Sequence, residues 1–332
     1  MKNIYKASLL FLLSLVFIVS YNINLTQMFR NIKIKTKETL LSQRQNSKTC
    51  YNSDYKYKSD KLFILGDIGM YNNNLAKIVN IINQKINKQD KIILLGDNFY
   101  PNGVDNIYDK SWMYFKSIFK NIPKSNIYTI VGNHDYHKNP KSQVNNNYWS
   151  TPNFYYKLNF NKNIDLFFLD TVQLFPEHCG IHKKIIENIH HENTDALIYK
   201  QLNWLQTELQ KSNNKKKIVF GHYPIISNGA YSNEMSNLYK LLFPIFKKYN
   251  VSAYISGHEH NIQYIKRKEN NYTFNQFIIG CSSENRLNEY KKFCFYDMYD
   301  NKDNFLLQIT DDNNTILNFI NKNNKTMYTY KI

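Results

Sequence analysis

Cysteine is scarce in this chain: four residues in 332, with no two of them spaced as a CxxC pair. That spacing excludes the usual structural zinc site built from paired cysteines. Internal repeats of fixed period and interdomain linkers are also lacking, so we expect one domain over residues 61–332. Four cysteines fit a secretory protein with up to two disulfides. The pairing of Cys50, Cys179, Cys281 and Cys294 stays open.

Long apolar runs are missing except at the N-terminus. There Lys2 and Lys6 precede an apolar stretch from Ala7 to Ser20, followed by polar residues. This layout is typical of a secretory signal, and the stretch is short for a membrane span. We therefore predict a signal peptide over residues 1–20 and a polar lead-in over 21–60. We expect the mature protein outside the cell or in the lumen of an acidic vesicle or vacuole. An uncleaved N-terminal anchor is the alternative, because no clear cleavage site follows.

Acidic side chains are few beside basic ones, 26 against 43, which gives a formal net charge of +17. The lysines are scattered among asparagines, and the densest run, Lys215–Lys217, precedes a predicted strand. Without a basic helix or a row of aromatic residues placed for base stacking, we expect no nucleic-acid partner. We expect a monomer whose diffuse positive charge favours anionic substrates. The sequons at Asn250, Asn271, Asn313 and Asn324 are candidate glycosylation sites.

From Lys61 onward, short apolar runs of strand type alternate with segments of helical spacing. Helical spacing is clear in Leu75–Ile82, Leu197–Leu209 and Leu238–Tyr249. Continuous apolar strands between amphipathic helices predict an α/β protein with helices on both faces of its sheet or sheets. The strand-like runs are KLFILGDIG, KIILLGDNFY, NIYTIVGNHD, IDLFFLD, KKIVFGHYP and VSAYISGHEHN.

Oxygen and imidazole donors follow five of these apolar runs at the same point. In α/β folds the carboxyl ends of strands gather on one rim, where ligands bind. Any one of these residues alone reads as a turn former or a helix cap. Five strand ends with the same chemistry instead predict a metal site, and two metals 3.5–4 Å apart can clamp a displacement at phosphorus. The donors are Asp67, Asp97 with Tyr100, Asn133 with His134 and Asp135, His222, and His258 with His260.

In this order and spacing the motifs resemble the purple acid phosphatases, within the metallophosphoesterase superfamily. The mammalian-type, tartrate-resistant branch is the most similar. The resemblance spans about residues 61–285 and implies a β-sandwich flanked by helices, with ligands on loops at the carboxyl ends of strands. The motifs that carry it are GDIG, LLGDNFYPNGV, VGNHDY, GHYP and GHEHNIQY.

The resemblance also implies a binuclear centre with one ferric and one divalent ion, the latter iron, zinc or manganese. A metal-bound hydroxide would attack a phosphate monoester, which makes the protein an acid phosphatase. His134 would orient the phosphate and protonate the leaving group, and Asp135 would orient a histidine. The ferric ligands would be Asp67, Asp97, Tyr100 and His260, and the divalent ligands Asp97, Asn133, His222 and His258.

Two positions distinguish the purple acid phosphatases from the rest of the superfamily. Most relatives in the superfamily have a histidine where this chain has Gly69, and lack a tyrosine at the position of Tyr100. Members of the mammalian-type branch have a second active-site histidine where this chain has Tyr231, which leaves the proton donor to the leaving group open. Two alternatives stay open: a non-catalytic scaffold or anchor with a phosphatase fold, against which the presence of all seven ligands counts, and a metallophosphodiesterase or nucleotide hydrolase, against which the Gly69 and Tyr100 pair counts.

Overall fold

The computed structural model describes residues 61–214, 216–231, 236–286, 298–300, 302–311 and 314–332. The predicted signal segment, the polar lead-in, Cys50 and Cys294 lie outside these residues. The strands in them are β1 (Lys61–Leu65), β2 (Lys91–Leu94), β3 (Ile127–Thr129), β4 (Tyr156–Asn159), β5 (Ile164–Phe168), β6 (Lys216–Phe220), β7 (Ala253–Ser256), β8 (Ile262–Glu269), β9 (Tyr272–Ile279), β10 (Met298–Asp300), β11 (Phe305–Asp311), β12 (Thr315–Asn321) and β13 (Thr326–Lys331).

The strands form two mixed sheets. The first sheet has the order β13-β12-β11-β1-β2-β3, and the second has the order β10-β8-β9-β7-β6-β5-β4. Strands β1, β2 and β3 are parallel, as are β5, β6, β7 and β9. The carboxyl ends of the parallel strands in each sheet therefore lie along one edge. The predicted donor residues follow the strand ends at this edge.

Alternating faces of the strands explain why the apolar runs are continuous. In β1, Leu62 and Ile64 belong to a core shared with residues of the second sheet, whereas Phe63 and Leu65 pack in a separate core with helices. Successive side chains of a strand point to opposite faces, so a strand covered on both sides is apolar throughout. The described residues thus form three apolar layers: one between the sheets and one beneath the helices on each outer face.

The helices begin and end close to the predicted segments. They are α1 (Asn73–Lys85), α2 (Ser111–Phe119), α3 (Asn133–Tyr136), α4 (Thr171–Leu174), α5 (Lys183–His190), α6 (Thr194–Lys211) and α7 (Ser236–Lys248), with short 3₁₀ turns at Lys124–Asn126 and Pro140–Gln143. Helix α1 begins after Asn72, whose side chain accepts hydrogen bonds from the backbone of Asn74 and Leu75. The predicted helices at 75–82, 197–209 and 238–249 correspond to α1, α6 and α7.

The architecture confirms the predicted fold class, an α/β sandwich of two sheets flanked by helices. The single domain over residues 61–332 stays a prediction. None of the helices formed by the described residues is long and apolar enough to cross a membrane.

Candidate metal centre

Four of the predicted ligands stand on left-handed backbone. Asp67, Asp97, His258 and His260 have φ angles of 55°, 50°, 73° and 48°. Such angles are uncommon for residues other than glycine and cost on the order of 1–3 kcal/mol each. Four of them at the carboxyl ends of β1, β2 and β7 indicate that the loops are shaped to aim side chains rather than to relax the chain.

The Tyr100 hydroxyl is the centre of the first group of donors. It lies 3.2 Å from Asp67 Oδ1, 3.2 Å from Asp97 Oδ2 and 2.9 Å from His260 Nε2. His260 Nε2 is in turn 3.5 Å from Asp67 Oδ1. Neighbouring ligands held about 2.0–2.2 Å from one metal at right angles lie about 3 Å apart. The four side chains therefore fit around one ion.

His222 is the centre of the second group. Its Nδ1 lies 2.7 Å from the Leu95 carbonyl, which fixes the ring and leaves Nε2 pointing at the other donors. Nε2 lies 3.1 Å from Asn133 Oδ1 and 3.4 Å from Asp97 Oδ1. Donor atoms of Asp97, His222 and His258 all lie within 4.8 Å of one another. One oxygen of Asp97 faces each group, which is the geometry that a bridging carboxylate requires.

The charges of the buried groups call for a cation. Burial raises the pKa of Asp67 to about 8. Burial also acts to raise the pKa of Asp97, but the neighbouring His222 holds it well below its usual range. Although burial disfavours a charged His222, Asp97 raises its pKa to about 9. At neutral pH the His222 imidazolium thus pairs with the Asp97 carboxylate, whereas Asp67 keeps its proton unless a cation lies beside it, because a buried charge is costly unless it is paired or coordinates a metal.

Burial also sets the protonation states of the remaining donors, two imidazoles and one phenol. Burial lowers the pKa of His258 well below its usual range and that of His260 to about 3, so both rings are neutral. Neutral imidazole is the form that binds metals. Burial and the charges of Asp97 and Asp67 raise the pKa of the Tyr100 phenol well above its usual range. The phenol can therefore ionise only beside a strongly charged cation.

Gly69 and Tyr100 are sterically matched. A Cβ atom at position 69 would lie 2.5 Å from the Tyr100 nitrogen and 2.8 Å from its ring carbon Cδ2. Gly69 N–H donates to the Asp97 carbonyl over 3.1 Å, which ties the loop after β1 to the loop after β2. A side chain at 69 and the Tyr100 ring cannot occupy this space together without rearrangement. The glycine at position 69 and the tyrosine at position 100 therefore depend on each other.

His134 stands at the rim of the centre with about a third of its side chain exposed, at 32%. Its backbone N–H donates to Asp97 Oδ1 over 3.0 Å, and its Nδ1 lies 2.5 Å from the Pro101 carbonyl. This leaves Nε2 available on the solvent side, 3.9 Å from Asp97 Oδ2. Of the predicted site residues, His134 is the one placed to meet an entering ligand.

Asp135 does not orient a histidine, contrary to expectation. Its carboxylate accepts from the backbone N–H groups of Asn98, at 3.1 Å, and Gly132, at 2.8 Å, and from Gln143 Nε2 at 2.9 Å. These bonds join the loops after β2 and β3, from which Asp97 and Asn133 project. Asp135 therefore positions ligand-bearing backbone, a role that sequence spacing cannot reveal.

Three further side chains lie beside His258: His178 and Cys179, which the sequence did not assign to the site, and Tyr231, which the family resemblance placed at an active-site position. His178 Nε2 is 3.3 Å from His258 Nε2, and Cys179 Sγ is 3.6 Å from the same atom. The ring of Tyr231 stacks on His258 at 4.3 Å between centroids. The available signal was the adjacent His-Cys pair after β5, although the sequence predicted for Cys179 only a possible disulfide and for His178 no role. In the structure, Cys281 forms no disulfide with another described residue.

An open cleft of about 530 Å³ adjoins Tyr100. Met70 and Tyr114 are among its exposed side chains, so its walls are largely apolar and aromatic. A cleft beside a metal centre gives a ligand room for a group larger than phosphate. It is lined by Gly69, Met70, Tyr71, Phe99, Tyr100, Pro101, Ser111 and Tyr114.

These features define a calcineurin-like phosphoesterase, and comparison with known families agrees. The sequence model of that family matches residues 61–261, and the chain belongs to it. Human tartrate-resistant acid phosphatase type 5 is 33% identical over 190 residues, which cover 53% of this chain and 57% of that protein. Purple acid phosphatase 3 of Arabidopsis thaliana is 30% identical over 225 residues, covering 63% of this chain and 59% of that protein. The chain spans little more than half the length of these relatives.

Solved structures show the same fold. One is GAP50, described as the anchor in the inner membrane complex of Plasmodium, with a TM-score of 0.64 and 23% identity over 82% of this chain and 88% of that one. Another is purple acid phosphatase PPD1 from yellow lupin seeds, with a TM-score of 0.63 and 16% identity over 84% of this chain and 55% of that one. At these identities the likeness concerns the fold alone.

Proposed function

We propose that the protein is an acid phosphatase of the secretory pathway that hydrolyses phosphate monoesters at a binuclear centre of one ferric and one divalent ion. The observation that carries this proposal is the Tyr100 hydroxyl, which lies within 3.2 Å of Asp67 and Asp97 and 2.9 Å from His260. A phenol among two carboxylates is a hard, anionic donor set, which suits a trivalent ion.

The ligand roles in this proposal follow the two groups of donors. The ferric ion would be held by Asp67, Asp97, Tyr100 and His260, and the divalent ion, iron, zinc or manganese, by Asp97, Asn133, His222 and His258. Asp97 would bridge, because each of its oxygens faces a different group. When bound, such a pair of ions supplies Lewis acidity toward a phosphoryl oxygen and lowers the pKa of water.

His134 has the catalytic role in this proposal. Its Nδ1 contact with Pro101 fixes the ring, and its partly exposed Nε2 faces the space above Asp97. A ligand whose phosphate sits on the metals would place the ester oxygen on this open side. His134 would then donate a hydrogen bond to the phosphate and a proton to the departing alcohol. The cleft beside Tyr100 would receive the alcohol part of the ester.

A non-catalytic anchor is the second candidate, and the fold shared with the Plasmodium anchor protein favours it. A scaffold has no need for strained ligands, yet four donors of this chain lie on left-handed backbone, and three of these, Asp67, Asp97 and His260, have side-chain atoms within 3.2 Å of the Tyr100 hydroxyl. Retaining buried carboxylates that face each other is costly without a cation. These costs favour a working metal centre over an anchoring role.

Metal content and activity, measured together, test the proposal. The purified chain should contain iron and a second metal and hydrolyse an aryl phosphate faster below neutral pH than above it. Asp97→Ala should lose both metals and the activity, since Asp97 faces both groups of donors. Asp165→Ala is the matched control, because that buried carboxylate binds Ser212 and Asn214 away from the centre.

The possible outcomes separate the candidates. A metal-free, inactive wild type that still folds would favour the anchor, and faster cleavage of diesters or nucleotides than of monoesters would favour the other hydrolase class. The secretory route is tested separately by N-terminal sequencing of the mature protein. A retained Met1 on membrane-bound protein would indicate the uncleaved anchor.

A further inference from the structure

Beyond the seven predicted ligands, two further metal-binding side chains, His178 and Cys179, approach the Nε2 atom of His258. His178 and His258 are buried, and Cys179 is partly buried. The Nε2 atoms of His178 and His258 are 3.3 Å apart. Cys179 Sγ lies 3.2 Å from His178 Nε2 and 3.6 Å from His258 Nε2.

Two of these separations match the edges of a zinc tetrahedron, and the third, 3.2 Å between Cys179 Sγ and His178 Nε2, is shorter than the ideal edge. Zinc holds imidazole nitrogen at about 2.0–2.1 Å and thiolate sulfur at about 2.3 Å. In a tetrahedron, two such nitrogens lie about 3.3 Å apart, and a nitrogen and a sulfur lie about 3.6 Å apart. Hydrogen bonds also have such lengths, but here three metal-binding atoms each lie within 3.6 Å of the other two, which is the arrangement that one shared ion requires.

Aromatic walls hold the imidazoles in place. The ring of Tyr223 lies edge-on to both histidines, 4.7 Å from His178 and 4.8 Å from His258. The Tyr231 ring stacks on His258 with 4.3 Å between centroids, and Arg286 donates a hydrogen bond to the Tyr231 hydroxyl over 3.3 Å. The walls restrict the rotation of both rings, so that their nitrogens stay directed at the Cys179 sulfur. A metal arriving here meets donors that are already oriented.

We propose that His178 and Cys179 join His258 as ligands of the divalent ion, and that this thiolate makes the divalent side of the centre selective for zinc. Thiolate and imidazole together favour zinc over manganese, whose preferred ligands are oxygens. Binding would replace the S–H bond of Cys179 by a sulfur–zinc bond and release the proton to solvent. The inference rests on the proposed function only in that His258 is assigned to the divalent ion.

Zinc K-edge X-ray absorption of the full-length, zinc-loaded protein tests the proposal. The wild type should show one sulfur neighbour at about 2.3 Å beside nitrogen and oxygen neighbours. Cys179→Ser should lose the sulfur signal, and both Cys179→Ser and His178→Ala should bind zinc at least ~10-fold more weakly, since even outer-shell changes cost 10–100-fold. Affinity for manganese should change less.

His182→Ala is the matched control, because His182 lies on the same loop but is exposed and bonded to Glu177. It should keep both the sulfur signal and the zinc affinity. A wild-type spectrum with only nitrogen and oxygen neighbours would overturn the proposal, as would a sulfur signal that survives in Cys179→Ser. Sulfur absent from a coloured, active phosphatase would refute this inference alone. Sulfur present in an inactive, colourless protein would refute the proposed function alone.

Discussion

At the scale of single residues, Tyr100 has an unusual environment for a phenol. Its one proton faces two carboxylate oxygens at 3.2 Å and an imidazole nitrogen at 2.9 Å, so it can satisfy one of three acceptors. The ring packs edge-on against His134, 4.6 Å between centroids. Packing therefore depends on the ring, whereas any role in metal binding depends on the oxygen.

Replacing Tyr100 by Phe separates these two contributions. The ring and its packing remain, so the free energy of unfolding should change little. If the phenolate binds a ferric ion, the pink to violet charge-transfer colour should disappear, and iron should be lost or reduced more easily. The visible spectrum and the iron content check this expectation. A coloured and fully active Tyr100→Phe protein would rule out ligation, leaving Tyr100 as a packed aromatic.

His134 is the second residue whose role can be isolated. His134→Ala should leave both metals and the colour in place, because its side chain contacts the Pro101 carbonyl and is not among the proposed ligands. Loss of a general acid should lower kcat on the order of 10²–10⁴-fold. Steady-state kinetics beside metal analysis provide the measurement, with the exposed His191→Ala as the control. Metal loss in His134→Ala would assign the residue a structural role instead.

At the scale of elements, helix α4 is capped at its N-terminus by Asp170, and burial disfavours the ionised form of this side chain. Asp170 accepts hydrogen bonds from the backbone of Val172 and Gln173, both at 3.1 Å, and from the Tyr136 hydroxyl at 2.5 Å. Despite these donors, burial raises the pKa of Asp170 to about 7. The folded protein thus keeps a proton at Asp170 that the unfolded chain releases near pH 4.

The sign of this difference predicts how stability depends on pH. Because the folded pKa is raised, the stabilisation is complete below about pH 4 and is lost as pH rises to about 7, by at most about 4 kcal/mol. Asp170→Asn keeps the capping oxygen but cannot ionise, so its free energy of unfolding should lack this decline. Urea unfolding of both proteins from pH 4 to 8, with metals saturating, checks the difference. Parallel curves would mean that Asp170 does not titrate in this range.

Elements also show how far sequence patterns reach. Helices α1, α6 and α7 and the strand ends that carry Asp67, Asp97 and His258 were predictable, because apolar periodicity and strand-end chemistry are local properties. The position of the loop with His178 and Cys179 was not predictable. His178 and His258 are 80 residues apart in the sequence, and they come into contact only because the second sheet brings them together. The position of the Asp135 carboxylate likewise depends on two loops meeting, which no spacing encodes.

At the scale of the whole molecule, the two groups of donors meet because two sheets bring their strand ends to a common edge. Asp67, Asp97 and Asn133 follow strands of the first sheet, and His222, His258 and His260 follow strands of the second. The His258 N–H donates to Asp67 Oδ2 over 2.8 Å, which joins the two sheets directly. Any change that shifts one sheet against the other should therefore disturb both groups of donors at once.

The formal charge of +17 is a property of the whole chain, and its effect on substrate capture is testable. A positive field draws anions toward the protein and raises association rates, and salt screens it with a Debye length of about 10 Å at 0.1 M. For a dianionic monoester, kcat/KM should fall several-fold between about 10 mM and 200 mM salt, while kcat stays constant. Phosphocholine is the control, because its ammonium group cancels part of the phosphate charge and should give a shallower dependence. Equal slopes for both substrates would show that the charge is too diffuse to steer them.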